Sequence, residues 1–424
     1  MRYKTEAFDL WQYLCADVYN PLIRCRIDLD GFIDEDTLKA AVTASFATIP
    51  MIRCSFAGTA GKPRWTDRGF SAEDMVCVVT PKDDSEEEVL KPLSTGIDFA
   101  IDAQLKIFVV RRHKCDTLCI IVSHLVCDTE GFKQYLYLLS DLYTKLKNNE
   151  TVSAPELQPR GVRPLFAGLT VGDKLRILRS NYTAYKTANR SNQRGIDLQS
   201  GKLVTAMEKR VFYVEEFDRL KTFAKSCGAT VNDCLMALFA RSFCRYTNTV
   251  KIIFPSTIDL RKFIPEGCSY GISNYSSNCM CTISVHPDDK LEDTVAQVSK
   301  LMGEHKSSKD ILKSVMLWRL ATLLPWFFLK SNLHKYVVHP LISYTNLGVL
   351  DKEQLRFQGV NIEDAYLTAS IKHRPYLQLT ASTFDDRCTL GCNIHGSEAD
   401  QAFVQRLLSG MRTEIAAELQ HAVA

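Results

Sequence analysis

Much that would name a chemistry is missing from this chain of 424 residues. No two cysteines stand at C-x-x-C spacing, and none of the fifteen is grouped with histidine in a zinc-like set. Neither a zinc ribbon nor a thioredoxin-type redox centre is therefore expected, and no metal site is predicted. No G-x-S-x-G elbow, P-loop or Rossmann glycine pattern occurs, which removes the common serine-hydrolase, nucleotide-hydrolysing and dinucleotide-binding readings. The net charge is only +3, so nothing in the overall balance points to nucleic acid. The longest uncharged apolar piece, near Leu320–Leu329, contains Pro325 and lasts about ten residues, against the ~20 that a bilayer span needs. The opening Met1-Arg2-Tyr3-Lys4-Thr5-Glu6 is polar and does not read as a secretory leader. With an odd number of cysteines scattered through apolar segments, such as Cys119, Cys127, Cys234 and Cys244, reduced buried thiols in the cytoplasm are expected.

What is present is an ordinary globular composition, 46% hydrophobic and 24% charged, on a chain long enough for two or three folding units. One stretch stands out, Leu118 to Gly131. The apolar run Leu118–Val122 reads as a buried strand ending at His124. Asp128 follows four residues later, then Gly131, and then a helical pattern from Phe132 to Leu146. Its stripe of Phe132, Tyr135, Leu136, Leu139, Leu142 and Tyr143 has the spacing of a core-facing helix. A histidine at the end of a core strand is rigidly held and titrates near neutrality, which suits a general base. A core histidine followed by a helix-capping aspartate accounts for the same residues.

The spacing His124-x-x-x-Asp128 resembles the HxxxD core of the acyltransferase superfamily that includes chloramphenicol acetyltransferase, alcohol acetyltransferases, plant BAHD acyltransferases and the condensation domains of peptide synthetases. Further segments resemble that superfamily in the right order along the chain. They are Gly31-Phe32-Ile33-Asp34 with the helix after it, Ile49-Pro50-Met51-Ile52-Arg53, Gly228-Ala229-Thr230-Val231-Asn232-Asp233, the stretch from Asp259-Leu260-Arg261 to Pro265, and Ser343-Tyr344-Thr345-Asn346-Leu347-Gly348. The chain also departs from the pattern. Condensation domains usually carry a second histidine where Ser123 stands. Most members have glycine directly after the aspartate, where this chain has Thr129, with Gly131 two places on. The plant DFGWG signature is absent, which argues against that branch.

The resemblance implies an α/β (α+β) fold of two chloramphenicol-acetyltransferase-like lobes that form a V with a central tunnel. Residues 1–160 would form the first lobe, 161–208 a basic linker and 209–424 the second lobe. From Lys174 to Arg210 there are nine Lys/Arg against two acids, Asp197 and Glu208. Such a run is either a solvated connection or a basic rim for the phosphates of coenzyme A or an acidic carrier protein.

The implied activity is acyl transfer from a thioester to a hydroxyl or amine, with no bound cofactor. His124 would be the base, and Asp128 would be structural, paired with Arg261. Thr129, Gly131, Thr345 and Asn346 are the candidates for oxyanion or substrate contacts, and Tyr270, Ser273 and Asn274 for the tunnel wall. Residues 318–328 form a second candidate for wall or lid. The expected partners are a small-molecule acceptor and an acyl thioester. Acyl-coenzyme A is the donor favoured by the lack of a G-x-D-S-L carrier serine, and an acyl carrier protein is the alternative. A non-catalytic member that only binds a ligand is the third reading. His113, His286, His305, His334, His339, His373 and His395 have no partner at a telling spacing and are expected in surface or core roles.

Overall fold

The computed structural model describes residues 1–58, 61–153, 155–182, 201–286, 288–336 and 339–421. The part of the basic stretch between 183 and 200 lies outside them.

His124 stands at the end of a strand in the middle of a five-stranded sheet. The strand order is Ile362–Thr368, Leu22–Leu29, Asp116–Ser123, Leu105–Arg111 and Val76–Val79. All neighbours are antiparallel except the last pair. Leu118, Ile120 and Val122 enter the main core of the first lobe, while Cys119 and Ile121 enter a smaller cluster with Val89, Leu93 and Ile97. Burial on both faces is why this strand reads as an unbroken apolar run. Each branched aliphatic side chain buried there contributes roughly 1.5–3 kcal/mol.

The helix Thr129–Lys147 starts where it does because Asp128 caps it, its Oδ1 accepting the Gly131 N–H at 2.9 Å. Glu130 in its first turn and Lys145 and Lys147 in its last suit the helix dipole. Its apolar stripe is buried as the spacing predicts. The helix Glu35–Ser45 shares its core and is capped by Asp34, which accepts the Thr37 N–H at 2.9 Å. The segment Ile49–Phe56 holds a single 3-10 turn, Pro50–Arg53, before the short strand Cys54–Ala57. Pro50 has no N–H to give a ladder.

The second lobe is built on an eight-stranded sheet. Ser276–Ser284, Lys251–Asp259, Ile342–Leu350, Leu377–Phe384 and Arg387–Gly396 lie side by side in that order. Arg387–Gly396 is paired along its other edge with Val204–Phe212, and near its end with Ile371–His373. The hairpin between the strands Leu377–Phe384 and Arg387–Gly396 turns through Asp385 and Asp386, both left-handed (φ 42° and 62°), the geometry that matches strand twist in two-residue loops. The helices Val214–Ser226, Val231–Thr247, Leu291–Ser307 and Glu398–His421 also contribute to this core. Thr230 caps the second of them through the Asp233 N–H at 3.2 Å.

Lobes and sequence halves do not coincide. The edge strand Ile362–Thr368 of the first sheet comes from the second half, and Tyr19–Asn20 of the first half pairs with Ile371–His373 in the second sheet. The expected linker at 161–208 is also redrawn. Val162, Leu165, Phe166, Leu169 and Ile177 are buried in the second core, Val171–Arg179 is a helix, and the strand Val204–Phe212 starts inside the expected linker. The apolar residues within that charged stretch decide its place. No described helix is long and apolar enough to cross a membrane. Among the described residues no group of three or more His, Cys, Asp or Glu could hold a metal ion.

Candidate active site

A cavity of about 390 Å³ lies between the lobes and is lined from both of them. Phe8, Trp11, Val18 and Ile23 form part of the first-lobe wall. Thr257, Ser276, Ser277, Asn278 and Ser343 make the second-lobe wall rich in hydroxyl and amide groups. His124 lines the cavity and is half-buried.

The His124 ring is fixed from across the interface. The Asn274 side-chain amide donates to the carbonyl of His124 at 2.9 Å and more weakly to that of Leu125 at 3.5 Å. This orientation turns Asn274 Oδ1 toward His124 Nδ1, 3.0 Å away. An amide oxygen can only accept, so Nδ1 carries the proton and Nε2 keeps its lone pair. Nε2 has no protein partner among the described residues. Burial lowers the His124 pKa below its ordinary 6.5, and the nearby Asp128 and the Asn274 bond offset this only in part. The neutral, proton-accepting ring is thus favoured at neutral pH.

Asp128 makes no hydrogen bond to the imidazole. It meets Arg261 in a bidentate pair, Nη1 to Oδ2 at 3.0 Å and Nη2 to Oδ1 at 2.8 Å, both side chains being buried. Its Oδ2 also accepts the Tyr275 N–H at 2.7 Å. Arg261 further donates to the Ser273 carbonyl at 3.0 Å and to Asp259 at 3.1 Å, with its Cζ 5.0 Å from the Tyr275 ring centre. Burial alone would lower the Arg261 pKa, but Asp128 and Asp259 outweigh it and raise it. The pair ties the loop after His124 to the opposite lobe, which a surface arginine could not do.

A second buried pair supports the same loop and carries no signal in the sequence. Arg160 Nη2 donates to the Val126 carbonyl at 2.9 Å and to Asp9 at 3.2 Å. Asp9 in turn accepts from Trp65 Nε1 at 2.7 Å. Arg160 sits beside Pro159 in what reads as polar connecting chain, and only the folded structure brings it under residues 125–126.

The departures from the HxxxD pattern have local explanations. Ser123 is buried, and its Oγ accepts the Leu125 N–H at 3.3 Å, so it shapes the loop. Gly131 is where room is short. A Cβ there would lie 2.8 Å from Cys127 Cβ and 3.0 Å from the Ser273 carbonyl oxygen. Thr129 faces the cavity instead and tolerates a side chain.

The remaining predicted residues divide. Thr345 lines the cavity and is buried. Asn346 lines it too, but its amide donates to Asn232 at 2.9 Å and its Oδ1 accepts the Gly348 N–H at 2.8 Å. That side chain holds the strand bulge, which leaves one of its two amide N–H groups as a donor. Tyr270 and Ser273 are not on the cavity wall. Tyr270 packs against the second core, and Ser273 donates through Oγ to the Arg160 carbonyl at 2.8 Å behind the loop. Between 318 and 328, Trp318 alone reaches the cavity. His339, expected in a surface or core role, lines the cavity, as does Lys372, which sequence reasoning did not single out. No spacing could have marked Lys372, because its strand, Ile371–His373, is only three residues long.

Solved structures of other proteins share this fold, among them condensation domains and an O-acetyltransferase. Polyketide synthase associated protein 5 from Mycobacterium tuberculosis superposes with a TM-score of 0.70 at 15% identity, over 99% of this chain and 100% of that one. Trichothecene 15-O-acetyltransferase from Fusarium sporotrichioides gives 0.72 at 14% identity, over 97% and 95%. The first condensation domain of the CDA synthetase gives 0.65 at 12% identity, over 98% and 97%. At such identities the likeness is one of fold. No protein-family model matches the chain, and no curated protein matches it in sequence.

Proposed function

We propose that this protein is an acyltransferase that moves an acyl group from a thioester, favouring acyl-coenzyme A, to a hydroxyl or amine acceptor in the cytoplasm. The observation that carries this reading is the Asn274 clamp, which presents an unprotonated His124 Nε2 to a cavity large enough for small substrates. Names among the structural neighbours, an O-acetyltransferase and a condensation domain, support it. The fifteen cysteines are all free thiols, most of them buried, which supports a reducing compartment.

His124 Nε2 takes the proton from the acceptor O–H or N–H as that atom bonds to the thioester carbonyl carbon. The carbonyl electron pair moves onto oxygen. The Thr345 hydroxyl and the backbone N–H groups at Thr129, the start of a helix, are the donors for that oxyanion. Collapse breaks the C–S bond, and the proton on Nε2 passes to the departing sulfur. Asp128 and Arg261 touch no reacting atom and hold the loop. Bringing both substrates into one cavity supplies a large share of the rate.

The test is to incubate the protein with acetyl-, octanoyl- and palmitoyl-coenzyme A and a panel of alcohols and amines, and to follow free thiol. Acylated phosphopantetheinyl carrier protein is run in parallel. Thiol release that disappears in His124→Ala is expected. Release from the carrier alone reassigns the donor. No release from any donor, with ligands still bound, replaces the enzyme by a binding protein.

A further inference from the structure

Among the described residues, the cavity wall has one lysine or arginine that no acid pairs. Every acid on its wall is already engaged. Asp128 and Asp259 bind Arg261, and Glu130 binds Lys133 at 2.6 Å. Lys133 and Arg261 are thereby spent. Lys372 differs. Its Nζ sits 3.7 Å from the centre of the Tyr19 ring, and among the described residues it has no hydrogen bond and no carboxylate within 4.0 Å. An ammonium carries three N–H donors, and a ring face satisfies it only through the π cloud.

The surroundings sharpen the point. Tyr19, His339, Ser370, Tyr376 and Gln378 line the cavity with Lys372. Gln378 Oε1 is buried with no hydrogen-bond partner among the described residues. The titratable groups felt by Lys372 are the thiols of Cys15 and Cys392, both of which burial pushes up to about 12, so neither is an anion at neutral pH. Burial lowers the Lys372 pKa to about 8, which still leaves it charged at pH 7. The field of Lys372 also reaches His124, where it opposes protonation.

We propose that Lys372 is the recognition residue for a carboxylate on one of the two substrates. A carboxylate satisfies the free N–H donors and neutralises a lining cation that has no acid among the described residues. Trp11, Val18 and Trp318 hold the apolar body of the same molecule. This deepens the acyltransferase reading, since it uses the same cavity, but it is tested by binding and stands or falls apart from turnover.

The experiment is calorimetry at pH 7 with two matched pairs of probes. Succinyl-coenzyme A against butyryl-coenzyme A places the carboxylate on the acyl group, and 4-hydroxyphenylacetate against its methyl ester places it on the acceptor. At least tenfold tighter binding of the charged member is expected in one pair, and that pair identifies the substrate concerned. The preference is expected to vanish in Lys372→Met, to persist in Lys372→Arg, and to persist in His124→Ala, where transfer is lost. Circular dichroism of each variant checks the fold. Equal binding of charged and neutral members in both pairs by the parent protein overturns the assignment without need of any variant. So does a preference that survives Lys372→Met.

Discussion

Replacing Asp128 with asparagine keeps the shape of the side chain and removes its charge, so the cost can be read from its contacts. The carboxylate accepts four hydrogen bonds, two from Arg261 and one each from the Gly131 and Tyr275 N–H groups. Each oxygen faces one guanidinium N–H and one backbone N–H. Whichever oxygen becomes NH2 then points a donor at two donors. Breaking a buried pair by changing one partner typically costs about 3–5 kcal/mol. Asp259 still holds Arg261 at 3.1 Å and is half exposed, so the lower part of that range, about 3–4 kcal/mol, is expected. For a lobe of this size that is a fall in melting midpoint of roughly 6–16 °C. Differential scanning fluorimetry with near-UV circular dichroism reads it, reported as a midpoint because two lobes need not unfold together. Arg261→Met should cost a similar amount. The double variant should cost less than the sum by about 2 kcal/mol or more, since the partners share one interaction. A midpoint shift under about 2 °C for Asp128→Asn, or simple additivity in the cycle, would refute the claim that this pair fastens the loop.

His124 gives a prediction in pH. Its pKa is held below 6.5, so kcat/KM should be flat around neutrality and fall only as pH drops through that depressed value; a limb centred at 6.5 or above contradicts it. Asn274→Ala releases the ring to rotate and exchange tautomers, so kcat should fall about 10–100-fold, the lost bond from the buried Asn274 amide to the His124 carbonyl should cost about 1–3 kcal/mol of stability, and an unaltered kcat would show the clamp to be idle. Gly131→Ala forces a Cβ to within 2.8 Å of Cys127 Cβ and 3.0 Å of a backbone oxygen; about 1–3 kcal/mol of destabilisation is expected, read as a lowered midpoint. Lys372→Met should stabilise the empty protein. Burial lowers the Lys372 pKa to about 8 from 10.5. Below pH 8 the ammonium is charged in both folded and unfolded chains and its cost to the fold is complete. The cost fades as pH rises through 8 and is gone above 10.5. Allowing for partial exposure to the cavity, the gain at pH 7 is about 2 kcal/mol and should disappear at high pH; a lower midpoint at pH 7 would contradict it.

What the sequence discloses about this fold is what local chemistry encodes. The run Leu118–Val122 is bounded by its own composition, and Asp34, Asp128 and Thr230 mark helix starts through bonds to residues three positions on. Arg261 was reachable because Asp259-Leu260-Arg261 is itself a short pattern. The rest depends on contacts between distant residues, which leave no local trace. Asn274 meets His124 across 150 positions and Arg160 meets Asp9 across 151. Tyr270 and Ser273 misled for a related reason. In Tyr270–Asn278, the Asn274 side chain faces the cavity while that of its neighbour Ser273 bonds behind the loop. The buried apolar residues of 162–177 were hidden by the Lys and Arg around them.

The strand Ile362–Thr368 has a consequence for how the molecule is made. Until it arrives, Leu22–Leu29 presents a bare ladder of N–H and C=O groups along one side. A ribosome must therefore translate some 340 residues beyond Leu22 before that ladder can close. The newborn chain carries an adhesive margin for most of its synthesis. Expression of the histidine half alone would leave that margin open for good, so the two halves are bound to one another in manufacture as well as in chemistry.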